Sequence, residues 1–315
     1  MPLDPQMKAI LDKAAALGGP AFHTLGVEKV REAIRSGSAA GAREPVAHVE
    51  DRRIPGPAGE VPVRIYRPSA RPSADAPLPA VVFFHGGGWV AGDLNTHDVI
   101  CRILTNAARC IVVSVDYRLA PEHRFPASPD DCYAATAWTA NNAAAIGADP
   151  ARLAVAGTSA GGTLAAVVAM MARDRRGPRI ACQVLWYPAT DAAMDTPSHR
   201  DYSTGTYYLL SRADMEWFWN CYLSSERDRA NPYCCPGVAK DLRGLPPALI
   251  VTAEYDPLRD EAEEYAARLK RAGVAVKCTR YEGVTHAFTG MASVLDKGRQ
   301  SIIEAAAALH EAFGA

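Results

Sequence analysis

Hydrophobic and polar residues follow two different periods in the first part of the chain. Apolar residues recur about every three to four positions from Asp4 to Leu17, which predicts an amphipathic helix capped by Asp4. A second, short helix is predicted over Val27–Arg35. The pattern then changes to that of strands, and Val46–Ile54 and Val61–Arg67 are predicted to form an antiparallel pair; apolar residues recur at every second position from Val61 to Ile65. A sheet is therefore expected to begin near residue 46, after two helices.

From residue 80 onward, short continuous apolar runs alternate with segments of helical period. The runs have the length of buried strands, and they are Ala80–Phe84, Cys110–Val115, Arg152–Ala156, Ile180–Tyr187, Ala248–Ala253 and Val274–Tyr281. The helices predicted among them are about Asp98–Ala108, Pro129–Ala145 with Ser128 as its cap, Thr163–Ala172, Leu258–Ala272 and a last helix ending at Phe313. This alternation is typical of the α/β class, with a mostly parallel central sheet and helices on both faces.

Residues 190–245 interrupt this alternation. They are rich in aromatic side chains, namely Tyr202, Tyr207, Tyr208, Trp217, Phe218, Trp219 and Tyr222. Ser211 and Asp214 have the spacing of a capping box, and the helix that follows would place Met215, Phe218 and Tyr222 on one face. An insertion of this length most often forms a lid. We therefore divide the chain into N-terminal helices (1–45), a first part of the α/β core (46–189), the insertion (190–245) and a second part of the core (246–315).

Composition limits the classes of function. The chain has 315 residues, of which 49% are hydrophobic, and a formal net charge of −1, so there is no basic excess to suggest nucleic-acid binding. No run approaches the roughly 18 apolar residues of a membrane helix, and the N-terminus lacks a signal-peptide pattern. We expect no stable membrane insertion and a cytoplasmic location. The Cys234-Cys235 pair has no matching His/Cys cluster, so a zinc site is not expected. Five cysteines in apolar runs are expected to be buried: Cys101, Cys110, Cys132, Cys182 and Cys278.

One turn carries a chemical signature. Gly157-Thr158-Ser159-Ala160-Gly161-Gly162 lies between a predicted strand and a predicted helix. A strand, a tight turn and a helix with Ser at the centre of G-x-S-x-G form the nucleophile-elbow pattern. The glycines allow the strand and the helix to approach closely, and the helix N-terminus directs N–H groups toward Ser159. The plainer alternative is a glycine-rich helix start with an incidental serine, and the flanking strand and helix favour the nucleophile.

A nucleophilic serine needs a base and an acid, which in a parallel sheet lie at the carboxyl ends of strands. Of eight histidines, only His85 and His286 closely follow a predicted strand. Asp256 comes just after another strand, and the order Ser159, Asp256, His286 is the order found in α/β-hydrolases. Alternatives stay open at this point. Asp256 could cap the next helix, His286 could be a surface-loop residue, and two further acids lie close by: Glu254 and Asp260.

A second motif follows the strand Ala80–Phe84. His85-Gly86-Gly87-Gly88 is an HGGG sequence, which lipases and esterases use to donate backbone N–H groups to an oxyanion. Glycines leave those N–H groups open to a substrate. A flexible glycine turn is the alternative, and the position directly after a buried strand favours the functional interpretation. His85 itself is expected to hold the loop by hydrogen bonds and not to act as the base.

Five stretches together resemble the hormone-sensitive-lipase family of α/β-hydrolases, in its bacterial carboxylesterase branch. They span nearly the whole chain and are His85–Trp89, Tyr117–Ala127, Gly157–Gly162, Asp256–Glu261 and His286–Phe288. Thr158 departs from the commoner pattern, in which Asp is more familiar at this place. The departure leaves the subgroup and the substrate open.

The resemblance implies that Ser159, Asp256 and His286 form a catalytic triad that hydrolyses small-molecule esters through an acyl-enzyme. It implies no metal and no organic cofactor. Amide hydrolysis, lactone hydrolysis or deacetylation of a metabolite would use the same triad and remain alternatives. A non-catalytic receptor for a small ligand is a further alternative, and it is disfavoured because receptors that resemble this family lack the triad histidine.

The resemblance also implies an oxyanion hole and a cap. The N–H groups of Gly87, Gly88 and Ala160 would form the hole, and the N-terminal helices with the insertion would form the cap. Four residues are candidates for the substrate pocket: Trp89, Tyr187, Trp217 and Phe218. A pocket roofed by aromatic rings predicts a preference for short to medium acyl chains. Related esterases often pair their last strand across a two-fold axis, so we expect a homodimer through Val274–Tyr281.

Overall fold

An eight-stranded sheet forms the centre of the structure, a computed structural model that describes residues 2–38, 43–70, 76–202 and 209–314. Its strands are β1 His48–Gly56, β2 Gly59–Arg67, β3 Leu78–Phe84, β4 Ile111–Val115, β5 Ala148–Thr158, β6 Cys182–Trp186, β7 Ala248–Tyr255 and β8 Val276–Thr285. They lie in the order β1-β2-β4-β3-β5-β6-β7-β8. Pairing is antiparallel from β1 through β2 to β4 and parallel from there to β8. The prediction of a mostly parallel sheet is confirmed.

Helices cover both faces of this sheet, as predicted. Among the described residues they are α1 Pro5–Leu17, α2 Val27–Ser38, α3 Asp98–Ala107, α4 Ala127–Asn141, α5 Ala160–Asp174, α6 Pro197–Asp201, α7 Arg212–Tyr222, α8 Arg259–Arg271 and α9 Asp296–Phe313. Buried side chains of α4, α5 and α8 belong to one hydrophobic cluster. Those of α1, α3 and α9 belong to a second cluster on the opposite face. None of the described helices is long and apolar enough to cross a membrane.

The strand β3 shows why the central strands are continuous apolar runs. Val82 and Phe84 pack into the first cluster, whereas Val81 and Phe83 pack into the second. All four side chains are fully buried. Because both faces of a doubly covered sheet are buried, both faces of such a strand are mostly apolar. Each large apolar side chain buried in this way contributes about 1.5–3 kcal/mol to folding.

Two local predictions are wrong. Ser128 does not cap a helix, because Ala127 N donates to Arg124 O at 3.0 Å and this turn continues directly into α4 at Ala127. Ser128 therefore lies inside the first helical turn, where it is buried. Cys278 is only partly buried, because β8 lies at the edge of the sheet. The other four cysteines expected to be buried are buried.

The strand β8 is the last strand of the sheet, as predicted. It runs to Thr285, beyond the expected end at Tyr281, so that His286 follows it directly. Pairing of two copies along this edge stays a prediction.

The insertion contains the predicted capping box at the start of α7. Ser211 Oγ accepts from Asp214 N at 3.1 Å, and the Asp214 carboxylate accepts from Ser211 N at 3.0 Å. Tyr207 and Tyr208, two of the aromatic residues assigned to the insertion, lie outside the described residues.

Candidate active site

Ser159 lies in the tight turn between β5 and α5, with φ 53° and ψ −122°. A positive φ is unusual for a residue with a side chain, and it is the strained geometry of a nucleophile elbow. A Cβ at Gly157 or Gly161 would overlap backbone atoms of the turn or of Phe84. Ser159 N donates to Trp186 O at 2.8 Å, which ties the turn to β6. Ser159 is half-buried.

His286 joins Ser159 to Asp256. Its Nδ1 lies 2.7 Å from Asp256 Oδ2, and its Nε2 lies 2.9 Å from Ser159 Oγ. Because a carboxylate can only accept, Nδ1 carries the proton, and the lone pair of Nε2 faces the serine hydroxyl. Asp256 is fully buried and follows β7, while His286 follows β8. The three residues therefore meet at the carboxyl ends of β5, β7 and β8.

The rival acids have partners other than His286. Asp260 Oδ2 accepts from Ser198 N at 2.8 Å, which ties α8 to the insertion helix α6. Glu254 Oε2 accepts from Gly283 N at 2.7 Å. Asp256 does not cap α8, which begins at Arg259 after Leu258, but its Oδ1 accepts from Leu258 N at 2.9 Å in the turn before the helix. One carboxylate thus orients the imidazole with one oxygen and closes a turn with the other.

The loop after β3 brings backbone N–H groups to the same place. Gly87 and Gly88 have φ values of 122° and 60°, which residues with a Cβ rarely adopt. A Cβ on Gly86 would lie 2.9 Å from Thr158 O and 3.4 Å from Ser159 Cβ, so this loop packs directly on the elbow. The N–H groups of Gly87 and Gly88 make no hydrogen bond within the described part of the chain. Ala160 begins α5, where the first N–H groups of a helix have no partner of their own.

Two histidines hold this loop. His85 is buried, its Nδ1 lies 2.9 Å from Gly86 O, and its ring stacks on Tyr117 at 4.2 Å. This agrees with the expected structural role. Burial lowers the pKa of His85. The second residue is His97, whose Nε2 lies 3.1 Å from Gly86 N. Sequence reasoning missed His97 because it precedes α3 and does not follow a strand; the only signal was an Asp93-x-x-Thr96 turn before it.

The pocket candidates differ in their surroundings. The Phe218 ring lies against Gly88, where a Cβ would overlap it. The Tyr187 ring lies 4.8 Å from the His286 ring, edge to face. Trp217 is half-buried, and its ring contacts that of Phe218 at 5.1 Å. Trp89 is fully buried, and its ring stacks on Tyr222 at 4.4 Å.

Contacts join the N-terminal helices and the insertion above the site. His23 N donates to Asp214 Oδ1 at 2.9 Å, and the Phe22 and Phe218 rings lie 6.1 Å apart. From α2, Arg31 Nε donates to Val90 O at 2.9 Å, and its guanidinium pairs with Glu122 at 2.7 Å. The same arginine therefore fixes α2 to the loop that follows the glycines.

The cysteines are free thiols. Cys234 and Cys235 are both fully buried, and the hydrogen bond between them, with burial, raises the pKa of Cys234. Within the described residues no group of three or more His, Cys, Asp or Glu side chains is arranged to hold a metal ion.

A parallel sheet with a nucleophile elbow at its centre defines an α/β-hydrolase. A family model described as alpha/beta hydrolase fold matches residues 81–290, and the chain belongs to this family, in its hormone-sensitive-lipase-like branch. Carboxylesterase NlhH of Mycobacterium tuberculosis is 40% identical over 319 residues, covering 99% of this chain and 97% of that protein. Carboxylic ester hydrolase LipN of the same organism is 47% identical over 78% of this chain, which spans 66% of LipN. The solved hyperthermophilic esterase of Pyrobaculum calidifontis is 46% identical, with a TM-score of 0.93 over 99% of both chains.

Proposed function

We propose that this chain is a serine carboxylesterase that hydrolyses short- to medium-chain acyl esters through Ser159, His286 and Asp256. That it is a carboxylic ester hydrolase follows from its family and from its esterase relatives. The observation that carries the finer proposal is His286, which lies 2.9 Å from Ser159 Oγ and 2.7 Å from Asp256 Oδ2. This is the geometry of a nucleophile, its base and the acid that orients the base.

In the first half of the reaction, His286 Nε2 takes the Ser159 proton while Ser159 Oγ attacks the ester carbonyl carbon. Asp256 stabilises the imidazolium that forms, because it accepts the Nδ1–H bond. The imidazolium then donates its proton to the departing alcohol, and the acyl group stays on Ser159. In the second half, His286 takes a proton from water while the water oxygen attacks the acyl carbonyl carbon. The imidazolium then returns a proton to Ser159 Oγ as the bond between this oxygen and the acyl carbon breaks, and the carboxylic acid leaves.

Negative charge develops on the carbonyl oxygen in both halves. The loop holding Gly87 and Gly88 packs on the elbow, and Ala160 N lies at the start of α5. Three N–H groups, those of Gly87, Gly88 and Ala160, would therefore donate hydrogen bonds to the oxyanion. Such preorganised donors typically supply several kcal/mol of transition-state stabilisation.

The proposed cap consists of residues 1–45 and 190–245. Its support is the set of contacts from Phe22, His23 and Arg31 to the insertion and the glycine loop. Phe218 closes the space above Gly88, which limits the length of acyl chain that fits beside the oxyanion. A cytoplasmic location and a homodimer remain predictions.

The test is Ser159→Ala, measured by steady-state hydrolysis of p-nitrophenyl butyrate. We expect kcat to fall on the order of 10⁴- to 10⁶-fold, because the triad acts as a unit. A fluorophosphonate should form one adduct, on Ser159.

Ser114→Ala is the matched control, because Ser114 is buried in β4. The control should keep wild-type turnover and react with the fluorophosphonate. Near-native activity of Ser159→Ala, or an adduct on another residue, would contradict the proposed mechanism.

A further inference from the structure

Three backbone polar groups just before the glycines of the proposed oxyanion hole are hydrogen-bonded, namely His85 O, Gly86 N and Gly86 O. His85 O accepts from the Tyr117 hydroxyl at 2.8 Å. Gly86 N donates to His97 Nε2 at 3.1 Å, and Gly86 O lies 2.9 Å from His85 Nδ1. Since a carbonyl oxygen can only accept, His85 Nδ1 carries the proton. One imidazole thus holds the N–H of Gly86 and another holds its C=O.

The neighbours of His97 fix which of its nitrogens is protonated. The Thr96 hydroxyl donates to Asp93 O at 2.8 Å, so its proton is already used. The same oxygen lies 2.9 Å from His97 Nδ1 and can only accept there, so Nδ1 carries a proton. His97 Nε2 is then a lone pair, and it matches the Gly86 N–H that faces it.

His97 must be neutral to accept this hydrogen bond. Burial, together with the nearby His85 ring at 5.8 Å, lowers the pKa of His97 to about 3. The imidazole therefore stays an acceptor over the whole range in which esterases are assayed.

Small displacements of Gly86 would reach the proposed oxyanion hole. Gly86 has no room to move toward the elbow, because Thr158 O and Ser159 Cβ lie directly beside it. Its N–H donates to His97 Nε2, and Gly87 O, one residue further on, accepts from Val90 N and Ala91 N. A loop that lost the bond to His97 would still be held after Gly87 but less firmly at Gly86, so the N–H groups of Gly87 and Gly88 could shift relative to Ser159.

We propose that His97 is a positioning residue for the oxyanion hole: its neutral Nε2 accepts the Gly86 N–H and so keeps the Gly87 and Gly88 N–H groups directed at the carbonyl oxygen bound to Ser159. This proposal rests on the proposed function, because it assumes that an oxyanion forms on Ser159. The role belongs to one atom, the acceptor at Nε2, and not to the volume of the ring.

The experiment compares His97→Leu, which removes the acceptor, with His97→Gln, whose Oε1 can reach the place of Nε2. Turnover is measured per site titrated with a fluorophosphonate, so that loss of folded protein does not count as loss of rate. We expect His97→Leu to lower kcat about 10- to 100-fold with little change in KM, since displaced donors cost less than a deleted one. His97→Gln should recover most of that loss.

A short-chain alkyl trifluoromethyl ketone serves as a second readout, because it forms an oxyanion adduct with an active serine. Its affinity should fall by the same factor as kcat/KM in His97→Leu, since both depend on the oxyanion donors. His123→Leu is the matched control, because His123 is exposed, and it should change neither quantity.

Equal rates per titrated site in wild type and His97→Leu would overturn the proposal, as would equal losses in the Leu and Gln variants. If His97→Leu does not fold, Thr96→Val tests the proposal instead, because this variant keeps the imidazole and removes the oxygen that accepts from its Nδ1–H. Thr96→Val should lower kcat several-fold, and an unchanged kcat would contradict the proposal. An active Ser159→Ala would instead refute the proposed function, whatever the His97 variants do.

Discussion

The proposed catalytic end of the sheet and the proposed cap are held by different balances of interactions. At the proposed catalytic end, formed by the loops after β3, β5, β7 and β8, side chains are fixed by directed hydrogen bonds such as those of His286 at 2.7 and 2.9 Å. In the proposed cap, α7 has hydrogen bonds near its two ends, and its buried face is held by ring packing, with Trp219 and Tyr222 both 4.4 Å from Trp89. Directed bonds fix the positions of atoms, whereas apolar packing tolerates changes of shape. Substitutions at the catalytic end should therefore change rate, and substitutions in the cap should change substrate range and stability.

The largest expected effect beyond loss of the nucleophile is that of Asp256→Asn. Asn can still accept from Leu258 N, so the turn should survive, but its amide cannot hold His286 in the required tautomer. We expect kcat to fall on the order of 10⁴-fold with the fold intact, measured with p-nitrophenyl butyrate and by circular dichroism.

Asp260→Asn and Glu254→Gln are the matched controls for Asp256. Their carboxylates accept from Ser198 N and Gly283 N, whereas the carboxylate bonded to His286 Nδ1 is that of Asp256, so each control should keep kcat within about tenfold. If either control loses activity while Asp256→Asn retains it, the acid has been misassigned.

The residues of the catalytic end could be predicted because their positions follow from topology. In a parallel sheet every strand delivers its carboxyl end to the same place, so a motif after one strand and a histidine after another must meet. Ser159, Asp256 and His286 were found by this rule. The rule cannot find His97, which reaches Gly86 from the start of α3, outside the set of strand ends.

The cap could be predicted only as an insertion rich in rings. Whether a given ring packs or faces the substrate depends on long-range contacts that leave no period in the sequence. Trp89 and Phe218 were equal candidates, yet Trp89 stacks on Tyr222 while Phe218 lies against Gly88. The predicted start of α4 was wrong for a similar reason. The turn at Arg124 sets where this helix begins, whereas the prediction relied on the capping preference of Ser128.

The pH dependence of the free energy of unfolding should differ between a variant at the glycine loop, His97→Gln, and a variant of the insertion, Phe218→Leu. The pKa of His97 is lowered to about 3 in the fold, against about 6.5 in an unfolded chain. The unfolded chain therefore binds one more proton between these values, and the stabilisation present above pH 6.5 is lost as the pH falls. Between about pH 6 and pH 4, the free energy of unfolding should fall less steeply in His97→Gln than in the wild type, by roughly 1.4 kcal/mol per pH unit.

Phe218→Leu is the comparison from the cap, because it removes ring contacts and no titrating group. Its unfolding free energy, measured in urea, should lie below that of the wild type by a similar amount at every pH. The groups facing His97, chiefly His85 and Asp93, are kept in both variants. A slope for His97→Gln equal to that of the wild type would show that this imidazole does not stay neutral in the fold.

The smallest expected effect is a change of chain-length preference in Phe218→Ala. The Phe218 ring lies against Gly88, beside the proposed oxyanion hole, and removing it opens space next to the acyl group. Each additional buried CH₂ contributes roughly 0.8 kcal/mol, so about three more methylenes could raise kcat/KM for longer esters by one to two orders of magnitude if all were fully buried. Partial burial reduces this to a several-fold gain. We expect the optimum in a p-nitrophenyl ester series to move from about C4–C6 toward C8–C10.

Trp219→Phe is the matched control for Phe218→Ala. Trp219 is fully buried and its ring lies 4.4 Å from that of Trp89, so trimming it should lower the unfolding temperature and leave the order of ester preferences as it is. The Trp217 ring contacts the Phe218 ring edge to face, and Trp217→Ala should shift the chain-length preference by an amount between those of Phe218→Ala and Trp219→Phe.

The outcomes distinguish two roles for α7. If Phe218→Ala lowers stability without changing the chain-length preference, as expected for Trp219→Phe, the Phe218 ring only packs and the acyl chain lies elsewhere. If wild-type kcat/KM still rises at C12, the cap does not close the pocket at all. A shift in chain-length preference in Phe218→Ala, with a smaller shift in Trp217→Ala and none in Trp219→Phe, would show that one face of α7 contacts the substrate while the other packs in the core.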